Sequence, residues 1–328
     1  MTRIEERDDA GPATPSATPS AAAARLRGGP GALVPAGEVR SYYGCPVLKP
    51  PVWKKEIAGY LFTGGLAGAS SVLAGAARLS GRPGLARVAR RVALGGAVAS
   101  PALLIKDLGR PERFANMLRV VRPTSPMNMG SWLLSVYGPS AGAAAVLDTF
   151  GVLPGFGRVA DAVAGVTGAL LTTYTGALLA DTAVPAWHDA RAELPFLFAA
   201  GAATSAGAAA AILAPPGEAG PARRLALAGF AADQVAMRGM VRTLGPLGSP
   251  YHEGPAGRWK KAADWLGLAG GLTLAAAGRR RRAAAVAGGG LLLASALATR
   301  LAVFRTGFQS AEDPEATIGP QRARLAPG

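Results

Sequence analysis

Long apolar runs separated by short polar stretches occupy the chain from residue 57 onward. A membrane-crossing helix needs roughly 20 predominantly apolar residues, and eight runs approach or reach that length. The first four are residues 57–77, 88–105, 131–150 and 159–180; the last four are 194–214, 222–240, 262–277 and 283–304. The sixth carries Asp233 and Gln234 and the seventh is short, so seven and nine spans are the competing counts. Small residues recur inside the runs, as with Gly64, Gly65, Gly68, Ser70 and Ser71 in the first and Gly267, Gly270 and Gly271 in the seventh. Membrane helices use such residues to approach one another closely. The pattern predicts an all-α, polytopic membrane protein with eight transmembrane helices in two four-helix bundles.

Composition agrees with that class. Of 328 residues, 50% are hydrophobic and only 17% are charged, against about 25% charged in a soluble domain. The formal net charge of +15 would suit a nucleic-acid partner. The arginines, however, sit in connectors between apolar runs, as in Arg279–Arg282. Basic residues flanking spans carry topology information instead, and no basic domain is left outside the spans, so nucleic-acid binding is set aside. The two faces have nearly balanced Lys and Arg, with a slight bias that places the termini outside. Residues 1–40, charged at first and then rich in Ala, Pro, Ser, Thr and Gly, read as a disordered extension without a secretory signal. Residues 41–305 form the expected membrane domain and 306–328 a polar C-terminal tail.

Residue inventory restricts the chemistry. One cysteine, Cys45, cannot ligate an iron–sulfur cluster, and two histidines, His188 and His252, both in connectors, do not suit a membrane haem. A Cys or His metal site is equally unsupported, and neither a phosphate-cradling Gly-Lys-Ser/Thr loop nor a dinucleotide fingerprint is present. A redox role would therefore draw its metal centres from a partner.

Charge is instead concentrated at two helix ends. Lys106-Asp107-Leu108-Gly109-Arg110-Pro111-Glu112-Arg113-Phe114 follows the second run, and Asp181 to Glu193 follows the fourth. Ionisable groups at a bilayer edge are costly, which makes them candidates for function. An even span count places both segments at one face.

These segments carry a family resemblance. Tyr42-Tyr43-Gly44-Cys45-Pro46 through Trp53-Lys54-Lys55-Glu56 leads into the first run. The Asp107–Phe114 string and Asn116 to Met127 follow the second, and Tyr174 to His188 closes the fourth. They resemble the NrfD/PsrC family, the membrane-anchor subunits of polysulfide reductase, nitrite reductase and related molybdoenzyme complexes. The likeness runs from about residue 42 to residue 300 and is strongest over the first five runs. The resemblance implies a multi-pass subunit of the bacterial cytoplasmic membrane that exchanges electrons with a quinone, menaquinone in type, held as an exchangeable substrate. It further implies a ferredoxin-like iron–sulfur subunit and a molybdopterin catalytic subunit as partners. The chain would be the membrane subunit of an oxidoreductase, not catalytic alone on the soluble substrate. Quinone sites of the family lie near the start of the first span, the second connector and the end of the fourth span. The entry Trp53-Lys54-Lys55-Glu56 is less Trp-rich than is usual there, and Lys106 is not a family feature.

The chemistry of quinone reduction, two electrons and two protons, selects among the residues at these ends. A headgroup needs hydrogen-bond donors and a protonatable relay. Asp107 and His188 are the candidate relay, since a carboxyl beside Lys106 and Arg110 and an imidazole can both exchange protons. Glu56, Tyr174 and Asp181 are candidates for the quinone vicinity. Arg110, Glu112 and Arg113 are assigned to docking a partner or orienting the connector. Structural roles compete with each of these. Asp107 could pair with Arg110 or Arg113 to fix the connector, His188 could sit in an interface beside a membrane-belt Trp187, and Tyr174 could be a packing residue with a satisfied hydroxyl. Asp233 could line a proton path or face a cavity with Gln234 and Arg238. Two other function classes remain, a secondary transporter using Asp233 and a purely structural membrane anchor.

Overall fold

The computed structural model describes residues 48–109 and 112–325, with the side chains of residue 113 and residues 320–325 excepted. The expected extension at residues 1–40, the entry residues Tyr42, Tyr43 and Cys45, and Arg110 lie outside the described residues, as does the side chain of Arg113.

The described residues form helices α1 (Lys55–Leu79), α2 (Pro83–Leu108), α3 (Glu112–Met117), α4 (Pro126–Phe150), α5 (Pro154–Ala180) and α6 (Pro185–His188). These are followed by α7 (Leu194–Leu213), α8 (Gly220–Leu244), a 3₁₀ segment at Gly245–Tyr251, α9 (Gly254–Ala277), α10 (Arg282–Glu312) and α11 (Pro314–Leu325). Five helices, α1, α2, α5, α7 and α10, are both long enough and apolar enough to cross a membrane. The other long helices, α4, α8 and α9, are not among these five and coincide with the third, sixth and seventh expected spans. The seventh is longer than its apolar run, because the polar stretch Arg258–Lys261 is already helical. The eighth likewise runs past Phe304 to Glu312.

Local chemistry sets the helix ends. Lys54, after Pro50-Pro51, is extended (φ −93°, ψ 174°), and Glu56 in the first turn of α1 complements the positive helix end. α2 stops at Gly109, whose φ of 71° is the left-handed conformation favoured for a residue that closes a helix. Proline occupies the first turn of α2, α4, α5 and α6, where its missing N–H costs no helical bond.

Helices α1, α2, α4 and α5 pack as one antiparallel group and α7 to α10 as another, joined through α1–α7, α5–α7 and α1–α10 contacts. Short connectors make the helix starts and ends alternate between two ends of the molecule. The start of α1, the end of α2, α3, the start of α4, the end of α5 and α6 share one end. Near that end the core is rich in large side chains, with Tyr60, Tyr137, Trp187, Phe198 and Phe304 all buried. Towards the other end it is mostly alanine and leucine, including Ala74, Ala86, Ala208 and Ala211. α1 approaches α5 closely, where Gly68 and Gly168 meet backbone to backbone. A Cβ on Gly168 would come within 2.7 Å of the Gly68 carbonyl oxygen. Glycines of the first run thus pack helices, as expected, and Gly270 does the same for α9 against Gly288 of α10.

Candidate functional site

The end of α2 and the start of α1 are tied by two polar contacts. The Lys54 backbone N–H donates to Asp107 Oδ1 at 2.9 Å, and Lys106 Nζ lies 3.2 Å from Glu56 Oε1. The helix dipoles explain the arrangement. Lys106 in the last turn of α2 and Glu56 in the first turn of α1 each oppose the partial charge of their own helix end. Asp107 is an anion at the negative end of α2, an unfavourable place, but it faces the positive end of α1, which offsets that cost. Among the described residues the Asp107 partner is a backbone amide; Arg110 and the Arg113 side chain, the pairing considered from the sequence, lie outside them. Glu56 is mostly covered, its side chain 13% exposed, while Lys106 extends outward.

Trp53, just before α1, brings α6 into the same neighbourhood. Its ring stacks on Trp187 with centroids 5.6 Å apart and planes 23° apart. Trp187 is fully buried, with its Nε1–H donated to the Val303 carbonyl of α10 at 2.8 Å. Phe304 tilts against it at 6.2 Å and Phe308 meets its edge at 6.4 Å. Trp187 is thus an interior anchor between α1, α6 and α10 and not a membrane-belt residue. A second tie comes from the Ala186 N–H, which donates to Ser310 Oγ of α10. His188 is the next residue along, exposed at the close of the α6 turn.

The remaining candidates disperse. The Tyr174 hydroxyl donates to the Pro126 carbonyl at 2.7 Å, bracing α5 against the start of α4. That is the satisfied-hydroxyl role considered from the sequence. Asp181 closes α5 and is exposed, and Glu112 is exposed at the start of α3. Among the described residues, Asp107 is bonded to Lys54 and Lys106 to Glu56, and His188 follows Trp187, which stacks on Trp53. Tyr174, Asp181 and Glu112 lie at the same end without a bond to that group.

Three organising residues escape a reading of the sequence. Asn128 holds the α3–α4 connector: its Oδ1 accepts from the Arg122 N–H at 2.6 Å, and its Nδ2 donates to the carbonyls of Met117 and Val120. The signal was local, an Asn three residues after Ser125, which itself caps α4 by accepting from the Asn128 N–H. Phe304 and Phe308 had no comparable signal, because the helix that brings them to Trp187 is more than 100 residues distant in sequence.

Carboxyl groups at Asp107 and Glu56 thus lie beside Lys106 at this end, and an exposed imidazole at His188 follows the buried Trp187 in the chain. The family model described as "Polysulphide reductase, NrfD" matches residues 47–220, slightly more than half of the chain, and spans α1 to α7 with the candidate residues from Glu56 to His188, Asp233 lying beyond it. No curated protein matches the chain significantly.

Proposed function

The chain belongs to the polysulphide reductase NrfD family, and from that premise we propose that it is the quinone-exchanging membrane subunit of a molybdoenzyme respiratory complex. In this reading all eight long helices cross the bacterial cytoplasmic membrane. Electrons pass between a ferredoxin-like iron–sulfur subunit and a menaquinone-type quinone at the end where α1 begins and α2 stops, and the iron–sulfur subunit connects to a molybdopterin catalytic subunit.

The observation that carries the proposal is the joining of three separate polar segments at one end: Asp107 on the Lys54 amide, Glu56 on Lys106, and α6 on Trp53. A quinone headgroup arriving there finds groups suited to its two carbonyl oxygens. Lys106 can stabilise developing negative charge, and Asp107 and His188 can deliver or accept protons. Trp53, backed by the buried Trp187, supplies the apolar wall that a ring requires. Glu112, exposed at the start of α3, is assigned with Arg110 and Arg113 to docking the partner subunit. Tyr174 and Asp181 shape the border of the site.

Quinone-linked turnover of the purified complex tests this reading. Asp107→Asn and His188→Ala are each expected to lower quinone turnover by about 10-fold or more, the usual range for a positioned acid or base, while the complex still assembles. Full turnover in both assembled variants would remove the site from this end.

A further inference from the structure

At the opposite end of the first helix group, the last turn of α1, α2, the end of α4 and the start of α5 enclose a cavity of about 420 Å³. Its walls include Arg78, Arg90, Asp148 and Arg158. Two carboxylates are already committed. Asp161, 3% exposed, receives Arg90 Nε and Nη2 at 3.1 and 3.0 Å and lies 3.1 Å from Arg78 Nε. Asp148 accepts from Arg90 Nη1 at 2.8 Å. Arg158 adds a third cation to the wall, so three guanidinium groups face two carboxylates and the cavity keeps a positive surplus. The start of α5 adds to it, because Gly157 is the first residue of that helix whose N–H reaches a carbonyl, that of Leu153.

The α4–α5 corner beside the cavity is of the opposite character. Phe150 is 74% exposed, Leu153 63% and Phe156 73%. Apolar surface left in water costs about 25 cal/mol per Å², whereas the same surface in contact with acyl chains costs nothing. The α4–α5 corner therefore belongs at the lipid boundary, which sets the arginine-lined cavity at the depth of the headgroups. Basic pockets between membrane helices suit anionic lipid heads.

We propose that this cavity binds the phosphate of an anionic phospholipid, with the acyl chains lying over Phe150, Leu153 and Phe156. Arg158 and Arg78 are the contacting charges, and Arg90 with Asp161 holds the wall in place. The inference rests on the membrane setting of the chain and is independent of the quinone site.

The test uses the full-length protein in nanodiscs of mixed zwitterionic and anionic phospholipid, with retained lipid read by native mass spectrometry after detergent release. The wild type is expected to keep anionic lipid preferentially. Arg158→Gln leaves the Asp161 network intact and is expected to lower that retention several-fold. Asp148→Asn removes a negative wall group, while Arg90 keeps both bonds to Asp161, and is expected to raise it. Unchanged retention in both variants, or equal retention of zwitterionic lipid, would overturn the proposal. So would displacement of the lipid by millimolar inorganic phosphate with equal thermal stabilisation, which would make the ligand a free anion.

Discussion

Trp187 concentrates several contacts in one side chain: the stack on Trp53, two phenylalanines of α10, a hydrogen bond to Val303 and close packing on Gly307. Replacing a buried aromatic by alanine costs about 3–5 kcal/mol. Trp187→Ala is therefore expected to lower the thermal midpoint in detergent and to lower quinone turnover with it, since it releases α6 and the Trp53 entry together. Trp187→Phe keeps most of the packing but leaves the Val303 contact unmade, with an expected cost of about 0.5–1.5 kcal/mol. Equal midpoints for the wild type and Trp187→Ala would show that the cluster does not hold this end. At this scale the sequence was partly legible. Asp107, Glu56 and Lys106 stood out because charge beside an apolar run is conspicuous. Trp187 was visible but misplaced: an aromatic next to a polar segment looks like a belt residue until α10 is seen to cover it.

Helix association in this fold relies on small residues at chosen turns. Gly68 of α1 faces Gly168 of α5, and a Cβ on Gly68 would meet the Gly168 carbonyl oxygen, carbon and Cα. None of these is a flexible side chain, so the helices themselves must separate. Gly68→Ala is expected to destabilise by about 1–3 kcal/mol. Gly75→Ala, in the same helix with open space around it, is expected to leave the midpoint unchanged or raised slightly. A midpoint for Gly68→Ala equal to that of Gly75→Ala would refute the close-approach argument. Element positions were legible for the apolar helices α1, α2, α5, α7 and α10, because period and composition agree there. Ends were less so. The first two turns of α9 are polar yet helical, and no hydrophobic count registers a helix turn that faces water.

For the whole molecule, the eight-span reading makes a topological prediction. In a Cys45→Ser background, Arg122→Cys and Glu253→Cys are expected to react with an impermeant thiol reagent from one side of the membrane. Gly217→Cys, exposed in the α7–α8 connector, is expected to react from the other. Reaction of Arg122→Cys and Glu253→Cys from opposite sides would change the span count between them. The family match ends at residue 220, where α8 begins. Of the second group only α7 falls inside the match; α8 to α10 lie beyond it, and α10 supports α6 through Trp187.

The sequence by itself determined the class, the alternation of apolar runs, the small-residue packing stripes and the charged ends, because each depends only on composition and neighbours along the chain. It also carried the family through motifs contiguous in sequence. Only the tertiary structure decided which charges meet: Asp107 with the amide of Lys54, Lys106 with Glu56, Arg90 and Arg78 with Asp161. Each of these pairs joins different helices, and partner choice is then a matter of helix register and crossing, which no local pattern encodes.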